Sequence, residues 1–485
     1  MTRGTWIAPA VLVVSVALLA GPALGLNPTQ VVSNTTSFLD QLDARKGFSG
    51  TVLIAKGGTP VLTRACGLAN RSFDVSNKPD TKFNLGSMNK MFTSVAILQL
   101  VEQGKISLQA NVGSYLPDYP NKRVAAEVTI HQLLTHTAGL GQFWTEEFLK
   151  ASKDRYRTTA DYLPLFVNDT LLFAPGVRHS YSNAGFIVLG LIIEKVSGQD
   201  YLEYVRQHIY QPAGMTNTDA YENDYVVPNL AVGYTEADAR PGELKNNLFL
   251  HVVRGGPAGG GYSTVEDLLK FSNALLGYKL LSAKYTELAI SGKVDDGAGA
   301  RYGYGFRERV ENGHHITGHT GGFPGISGYL GMFTDLGYTV AVLSNSDRGA
   351  VEVSQYIEEQ IVGETQRARN ARLTEMVLDK AVAQGYDAAV KLYEQNKRTG
   401  AVSEAAVNRR GYELLGEGKT SAAIDVFRLN VLLYPKSPNS FDSVGEAYMT
   451  AGNKELAIEN YEKVLQLDPG SKSATEALRK LKGNY

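Results

Sequence analysis

Gly86-Ser87-Met88-Asn89-Lys90-Met91-Phe92-Thr93-Ser94-Val95-Ala96-Ile97-Leu98-Gln99-Leu100-Val101-Glu102-Gln103 runs without a proline and stops at Gly104. A dense apolar stretch of this length closing on glycine predicts a helix from Gly86 to Gln103. Ser87 and Lys90 stand three residues apart at its start, so they project from neighbouring points of one face. This is the chain's only Ser-x-x-Lys. The partial positive charge of a helix N-terminus favours an alkoxide on Ser87 and helps hold the Lys90 amine neutral. A serine near a lysine is ordinary on a solvated helix. Lys90, however, sits among apolar neighbours, where an unpaired ammonium is costly, and that points to a functional lysine.

Two further clusters suit the same chemistry. Tyr181-Ser182-Asn183 follows the Pro175-Gly176 turn and opens a second apolar run, predicted helical from Tyr181 to Val196. A phenol beside a cation loses its proton more readily, so Tyr181 is a candidate base towards Ser87 and acid towards a leaving group. Asn183 is a candidate partner for a substrate amide and for Lys90. Tyr221-Glu222-Asn223 repeats the spacing but lies in a polar, charged stretch, which favours a solvated tyrosine. His319-Thr320-Gly321-Gly322 allows close backbone approach, and an N–H there can pair with that of Ser87 as an oxyanion hole. His314, His315 and His319 raise zinc as an alternative. The chain has no His-Glu-x-x-His and one cysteine, so no metal and no cofactor is expected. The absence of Gly-x-Ser-x-Gly counts against an α/β-hydrolase.

Around these clusters, Asn34 to Lys46 reads as a helix with Phe38 and Leu42 on one face. Gly50 to Ala55 and Val61 to Cys66 read as strands joined by Lys56-Gly57-Gly58-Thr59-Pro60. Tyr329 to Phe333 and Tyr338 to Leu343 flank Thr334-Asp335-Leu336-Gly337 as a hairpin, with Val351 to Val362 a helix over it. Beyond the charged stretch Glu364 to Arg372 the character changes. Ala423-Ile424 recurs as Ala457-Ile458, Phe427 as Tyr461, Gly411 as Gly445, Gly418 as Gly452 and Pro435 as Pro469. The constant offset is about 34 residues, the period of a tetratricopeptide helix pair. Ala389 and Tyr393 fit a weaker, earlier copy. Small residues here let paired helices approach while the aromatic fills the gap; an ordinary helical tail is the alternative.

The 485 residues imply more than one domain. A net charge of −1 removes any global attraction to nucleic acid or an anionic membrane. Arg3, the apolar run Trp6 to Ala20 and Ala23-Leu24-Gly25 form a signal-peptide pattern, with the mature chain starting near Leu26. The apolar run is short for a membrane span, so no stable span is expected after cleavage and the product is secreted or periplasmic. Cys66, the lone cysteine, rules out an intrachain disulfide and reads as a buried thiol at a strand end.

As a set, these motifs resemble the serine β-lactamase and penicillin-binding protein superfamily, whose Ser-x-x-Lys signature is known. The detail resembles its class C β-lactamase, DD-peptidase and esterase branch: Phe83-Asn84-Leu85-Gly86-Ser87, Leu133-Leu134-Thr135-His136-Thr137-Ala138-Gly139-Leu140, Tyr181-Ser182-Asn183, Gly259-Gly260-Gly261-Tyr262-Ser263-Thr264 before Asp267, and Gly318-His319-Thr320-Gly321-Gly322. The resemblance implies an α+β fold, an antiparallel sheet flanked by helices with a helical subdomain and the site between them. It also implies acylation and deacylation of Ser87, with the backbone N–H groups of Ser87 and Gly322 as oxyanion hole. Substrate contacts are expected from Asn183, His319, Thr320 and Gly321. His319 stands where many β-lactamases carry lysine, which moves the expectation towards a peptidase or esterase. The expected layout is a signal peptide at 1–25, the hydrolase at 26–365 and tetratricopeptide-like repeats at 373–485. The substrate is expected to be a small molecule or peptide, and the repeats a platform for a protein or peptide partner. A β-lactamase and a catalytically silent binding protein using the repeats are the alternative readings.

Overall fold

The computed structural model describes residues 27–483 apart from 238, 241, 242 and 298. The signal-peptide segment therefore lies outside the described residues. At the centre is one eight-stranded antiparallel sheet. Its strands are β1 (Gly50–Lys56), β2 (Thr59–Cys66), β3 (Val294–Asp295), β4 (Arg301–Tyr302), β5 (Arg307–Glu311), β6 (His314–Phe323), β7 (Ile326–Phe333) and β8 (Tyr338–Ser344). They lie in the order β2-β1-β8-β7-β6-β5-β4-β3. Both predicted hairpins form, the second with the register Phe333 opposite Tyr338.

Strand alternation sends side chains to opposite faces, and here both faces are covered. Val52, Ile54, Val340 and Val342 pack beneath α1 (Pro28–Ala44) and the helix Gly349–Val362. Leu53, Ala55, Ala341 and Leu343 face the larger core built on α2 (Asn89–Glu102), α3 (Asn183–Ser197) and α4 (Val265–Leu276). Cys66 is buried at the end of β2, and burial pushes its thiol up to about 11.

Several helix boundaries differ from expectation. The first helix begins at Pro28, not Asn34, because Asn27 and Gln30 form a capping box across that turn. Tyr181 and Ser182 precede α3, since the Ser182 hydroxyl caps the Gly185 N–H at 3.0 Å. Gly86 to Met88 is a 3₁₀ turn leading into α2, so Ser87 occupies the turn and Lys90 the helix. From Gln366 onward the described chain is helical. Glu404–Gly416 pairs with Thr420–Leu433 and Pro438–Thr450 with Lys454–Leu467. In each hairpin the small residue meets its aromatic: a Cβ on Gly411 would stand 2.4 Å from the Phe427 ring, and one on Gly445 3.3 Å from that of Tyr461.

Candidate active site

The Ser87 turn is held between two backbones. Gly86 has φ +50, and a Cβ there would meet the Gly322 nitrogen at 2.9 Å. A Cβ on Gly321 would meet the Leu85 carbonyl oxygen at 2.0 Å, closer than any real contact. On the other side the Gly260 N–H donates to the Gly86 carbonyl at 3.1 Å. Glycine at these positions lets β6 lie directly against the turn and brings the Gly322 N–H beside Ser87.

Lys90 is fully buried, and its Nζ lies 3.2 Å from Ser87 Oγ. It donates to Asn183 Oδ1 at 2.7 Å and to the Ala258 carbonyl. Burial holds its pKa well below the usual lysine value, with no counter-ion among the described residues to offset it. A neutral amine has two N–H groups, and these two acceptors use both. In that form its lone pair is left for the Ser87 hydroxyl.

Lys90 Nζ lies over the Tyr181 ring, 4.9 Å from its centroid. The Tyr181 hydroxyl is buried, and its contact with the Ser87 hydroxyl falls short of good hydrogen-bond geometry. Burial raises its pKa, so the phenol keeps its proton. That revises the expectation of a readily ionised tyrosine: burial outweighs the nearby Lys90.

The Tyr181–Asn183 segment is fixed by residues to which the sequence reading gave no role. Gln142 Nε2 donates to the Tyr181 carbonyl at 2.6 Å, and its Oε1 accepts from Asn183 Nδ2 at 2.7 Å. His136, at φ +58, accepts from the Ser182 N–H at 3.0 Å through Nδ1 and stacks against Tyr181 at 4.2 Å. Its position two residues after Leu134 in the Leu133–Leu140 motif was visible, its contact was not.

His319 is buried, and burial together with the nearby Lys90 lowers its pKa to about 3. Its Nδ1 lies 2.5 Å from the Thr320 carbonyl, so that nitrogen carries the hydrogen. Nε2 is then the acceptor, taking the Tyr302 hydroxyl hydrogen at 3.0 Å. Thr320 and Gly322 are exposed on β6 and Gly321 is buried against the turn. The other candidates are elsewhere. His314 bonds Asp335 and His315 bonds Glu308. Beside Tyr221, Glu222 is engaged by Arg157 and Arg254.

Ser87 opens on two clefts of opposite character. One is walled by aromatic and aliphatic side chains including Phe143, Trp144 and Phe323. The other is lined by Tyr181, Tyr302, Thr320, Asp296 and Arg307. Arg307 is paired with Asp296 there and keeps about a third of its side-chain surface open, 37%.

The beta-lactamase family model matches residues 36–361. The chain belongs to the beta-lactamase family. Among its beta-lactamase-family relatives is Penicillin-binding protein 4* of Bacillus subtilis, 30% identical over 325 residues, covering 64% of this chain and 71% of that protein. The penicillin binding protein from Bacillus halodurans is 35% identical, with a TM-score of 0.61 over 66% of this chain and 98% of that one. The octameric penicillin-binding protein homologue from Pyrococcus abyssi is 27% identical, with a TM-score of 0.63 over 73% of this chain and 82% of that one. At 22% identity, D-amino acid amidase from Ochrobactrum anthropi shares the beta-lactamase-family fold, with a TM-score of 0.57. These relatives are serine hydrolases, and the chain is an enzyme of that class. The silent-binder reading falls with that. The matched residues end at 361, before the helical tail.

Proposed function

We propose that the chain is an exported hydrolase that cleaves an amide or ester through an acyl-enzyme on Ser87, with Lys90 as first proton acceptor. The observation that carries this is the fully buried Lys90, whose Nζ lies 3.2 Å from Ser87 Oγ and donates to Asn183 Oδ1 and the Ala258 carbonyl, and whose pKa burial holds well below the usual lysine value. In acylation the Ser87 proton passes to Lys90 Nζ as Oγ attacks the substrate carbonyl carbon. The oxyanion is held by the Ser87 and Gly322 N–H groups. As the tetrahedral adduct collapses, the bond to the leaving group breaks and the leaving atom takes a proton from Tyr181, which is restored from Lys90. Water then reverses the sequence and frees Ser87. Asn183 is tied to both Lys90 and Gln142, which keeps the amine aligned.

Tyr181 lines the polar cleft, so a leaving group that takes its proton lies on that side, beside Thr320 and Arg307. A guanidinium there favours a leaving group bearing a carboxylate, as in a D-Ala-terminated peptide. His319, neutral by burial, supplies no cation of its own. Both features favour a DD-peptidase- or esterase-like activity over an efficient β-lactamase. The leader pattern at Arg3 to Gly25 supports a secreted or periplasmic setting. Labelling by a fluorophosphonate or penicillin probe is expected in the wild type and absent in Ser87→Ala; unchanged labelling of Ser87→Ala would overturn the assignment. Intact-protein mass spectrometry of acyl-enzymes from D-Ala peptides, short esters and β-lactams ranks the substrate classes.

The reading extends to residues 373–485 as tetratricopeptide-type repeats offering a surface to a peptide or protein. Its support is the ~34-residue spacing together with the Gly411–Phe427 and Gly445–Tyr461 contacts. A pull-down with residues 373–485 that recovers nothing specific would leave these helices a stabilising role alone.

A further inference from the structure

The apolar cleft beside Ser87 is built from segments far apart in the sequence. Phe143, Trp144 and Tyr162 come from the loops after the Leu133–Leu140 motif, Ile187 from α3, and Phe323 and Ile326 from the turn joining β6 to β7. Trp144 and Phe323 stack across it, with centroids 5.3 Å apart and planes 24° apart. Among its described lining residues none carries a charge: His251 is the one titratable imidazole, and burial lowers its pKa. Ser87, Asn183 and Gly322 of the catalytic machinery line it as well.

The walls are preformed. Phe143 packs on Tyr162 at 5.0 Å and on Phe148 at 5.4 Å, and Phe148 packs on Tyr156 at 4.9 Å. The Lys153 amine ties the loop from below, donating to the carbonyls of Phe148, Leu149 and Ala151 at 2.7, 3.1 and 2.7 Å. These carbonyls close the short helix Glu146–Lys150, so the cation satisfies acceptors that would otherwise be orphaned. An uncharged, aromatic-walled cleft held in this way binds apolar groups without first paying for its own ordering.

Resting on the acyl-enzyme reading above, we propose that this cleft takes the acyl half of the substrate, and that the acyl group carries a bulky, uncharged, apolar substituent of aromatic size. The two clefts divide the substrate at Ser87. The leaving group must receive a proton from Tyr181, which lines only the polar cleft. The acyl group, bonded to Ser87 Oγ with its oxygen at the Gly322 N–H, is then directed into the apolar one. Trp144, 37% exposed, roofs that cleft and excludes water from the substituent.

The test keeps one leaving group and varies the acyl part: p-nitrophenyl esters of acetic, hexanoic, phenylacetic and succinic acid with the full-length protein. The expected kcat/KM for phenylacetyl exceeds that for acetyl by about 100-fold, with hexanoyl between and the anionic succinyl below acetyl. Trp144→Ala lowers the phenylacetyl-to-acetyl ratio by roughly tenfold, and Trp144→Phe restores most of it. A flat series in protein whose Ser87 still labels with fluorophosphonate, or a preference for succinyl, overturns this inference and leaves the acyl-enzyme reading standing. Absence of both turnover and Ser87 labelling overturns that reading and this one with it. The wild-type series needs no variant, so the outcome does not depend on Trp144→Ala folding.

Discussion

At the scale of single residues, the site is governed by burial. Lys90 is fully buried with no counter-ion among the described residues, and burial holds its pKa well below the usual lysine value. The sign follows directly. A lysine whose folded pKa is depressed weakens the folded state below its unfolded pKa of about 10.4, and the penalty fades as pH rises towards that value. Relative to Lys90→Met, the wild type should gain stability as pH rises towards that value. Denaturant unfolding of the two proteins across that rise checks it; parallel pH profiles would mean an ionised Lys90. His319 gives a second check. With its pKa lowered to about 3, it stays neutral throughout ordinary buffers. A kcat/KM profile between pH 5 and 8 should show no inflection near 6.5 that disappears in His319→Gln.

At the scale of elements, the segment before α3 is held by Gln142 together with His136. Gln142 bonds to both the Tyr181 carbonyl and the Asn183 amide, so it sets the distance of the phenol from Ser87. Gln142→Ala should lower kcat/KM by about 10- to 100-fold, because small misplacement of a reacting group costs that much. The thermal midpoint should move by only a few degrees, since Gln142 is part-exposed. An equal loss of activity and folded protein would instead make Gln142 a structural residue. Such contacts explain what was legible in the sequence. Ser87 and Lys90 meet through helix spacing, and the β7–β8 hairpin through alternation around a turn, both local rules. Gln142 reaching Asn183 is a long-range juxtaposition with no local period. So is Arg307, which reaches the polar cleft because β5 pairs with β6 in the register Arg307 opposite Gly318. The early start of α1 is a different case. Asn27-Pro28-Thr29-Gln30 carries a local capping box that the weaker apolar pattern concealed.

At the scale of the whole molecule, the cores are separate. The sheet and its helices share two clusters of buried residues, and the tail has two others, drawn from Leu373 onward. The seam between them is polar: Asn312 donates to the Val362 and Glu364 carbonyls, and the Gln366 N–H to Glu311. Contacts of this kind couple two units weakly, compared with the apolar burial inside each. Calorimetry of the full chain should therefore resolve two transitions. Gly411→Leu tells them apart. A side chain at that position drives into the Phe427 ring, and overpacking of this sort costs about 1–3 kcal/mol. That variant should lower one transition and leave the other in place. Ester turnover through Ser87 should follow the transition that does not move, because no tail residue lines either cleft at Ser87 among the described residues. If a single transition appears and Gly411→Leu shifts it together with activity, the seam carries far more coupling than its hydrogen bonds account for.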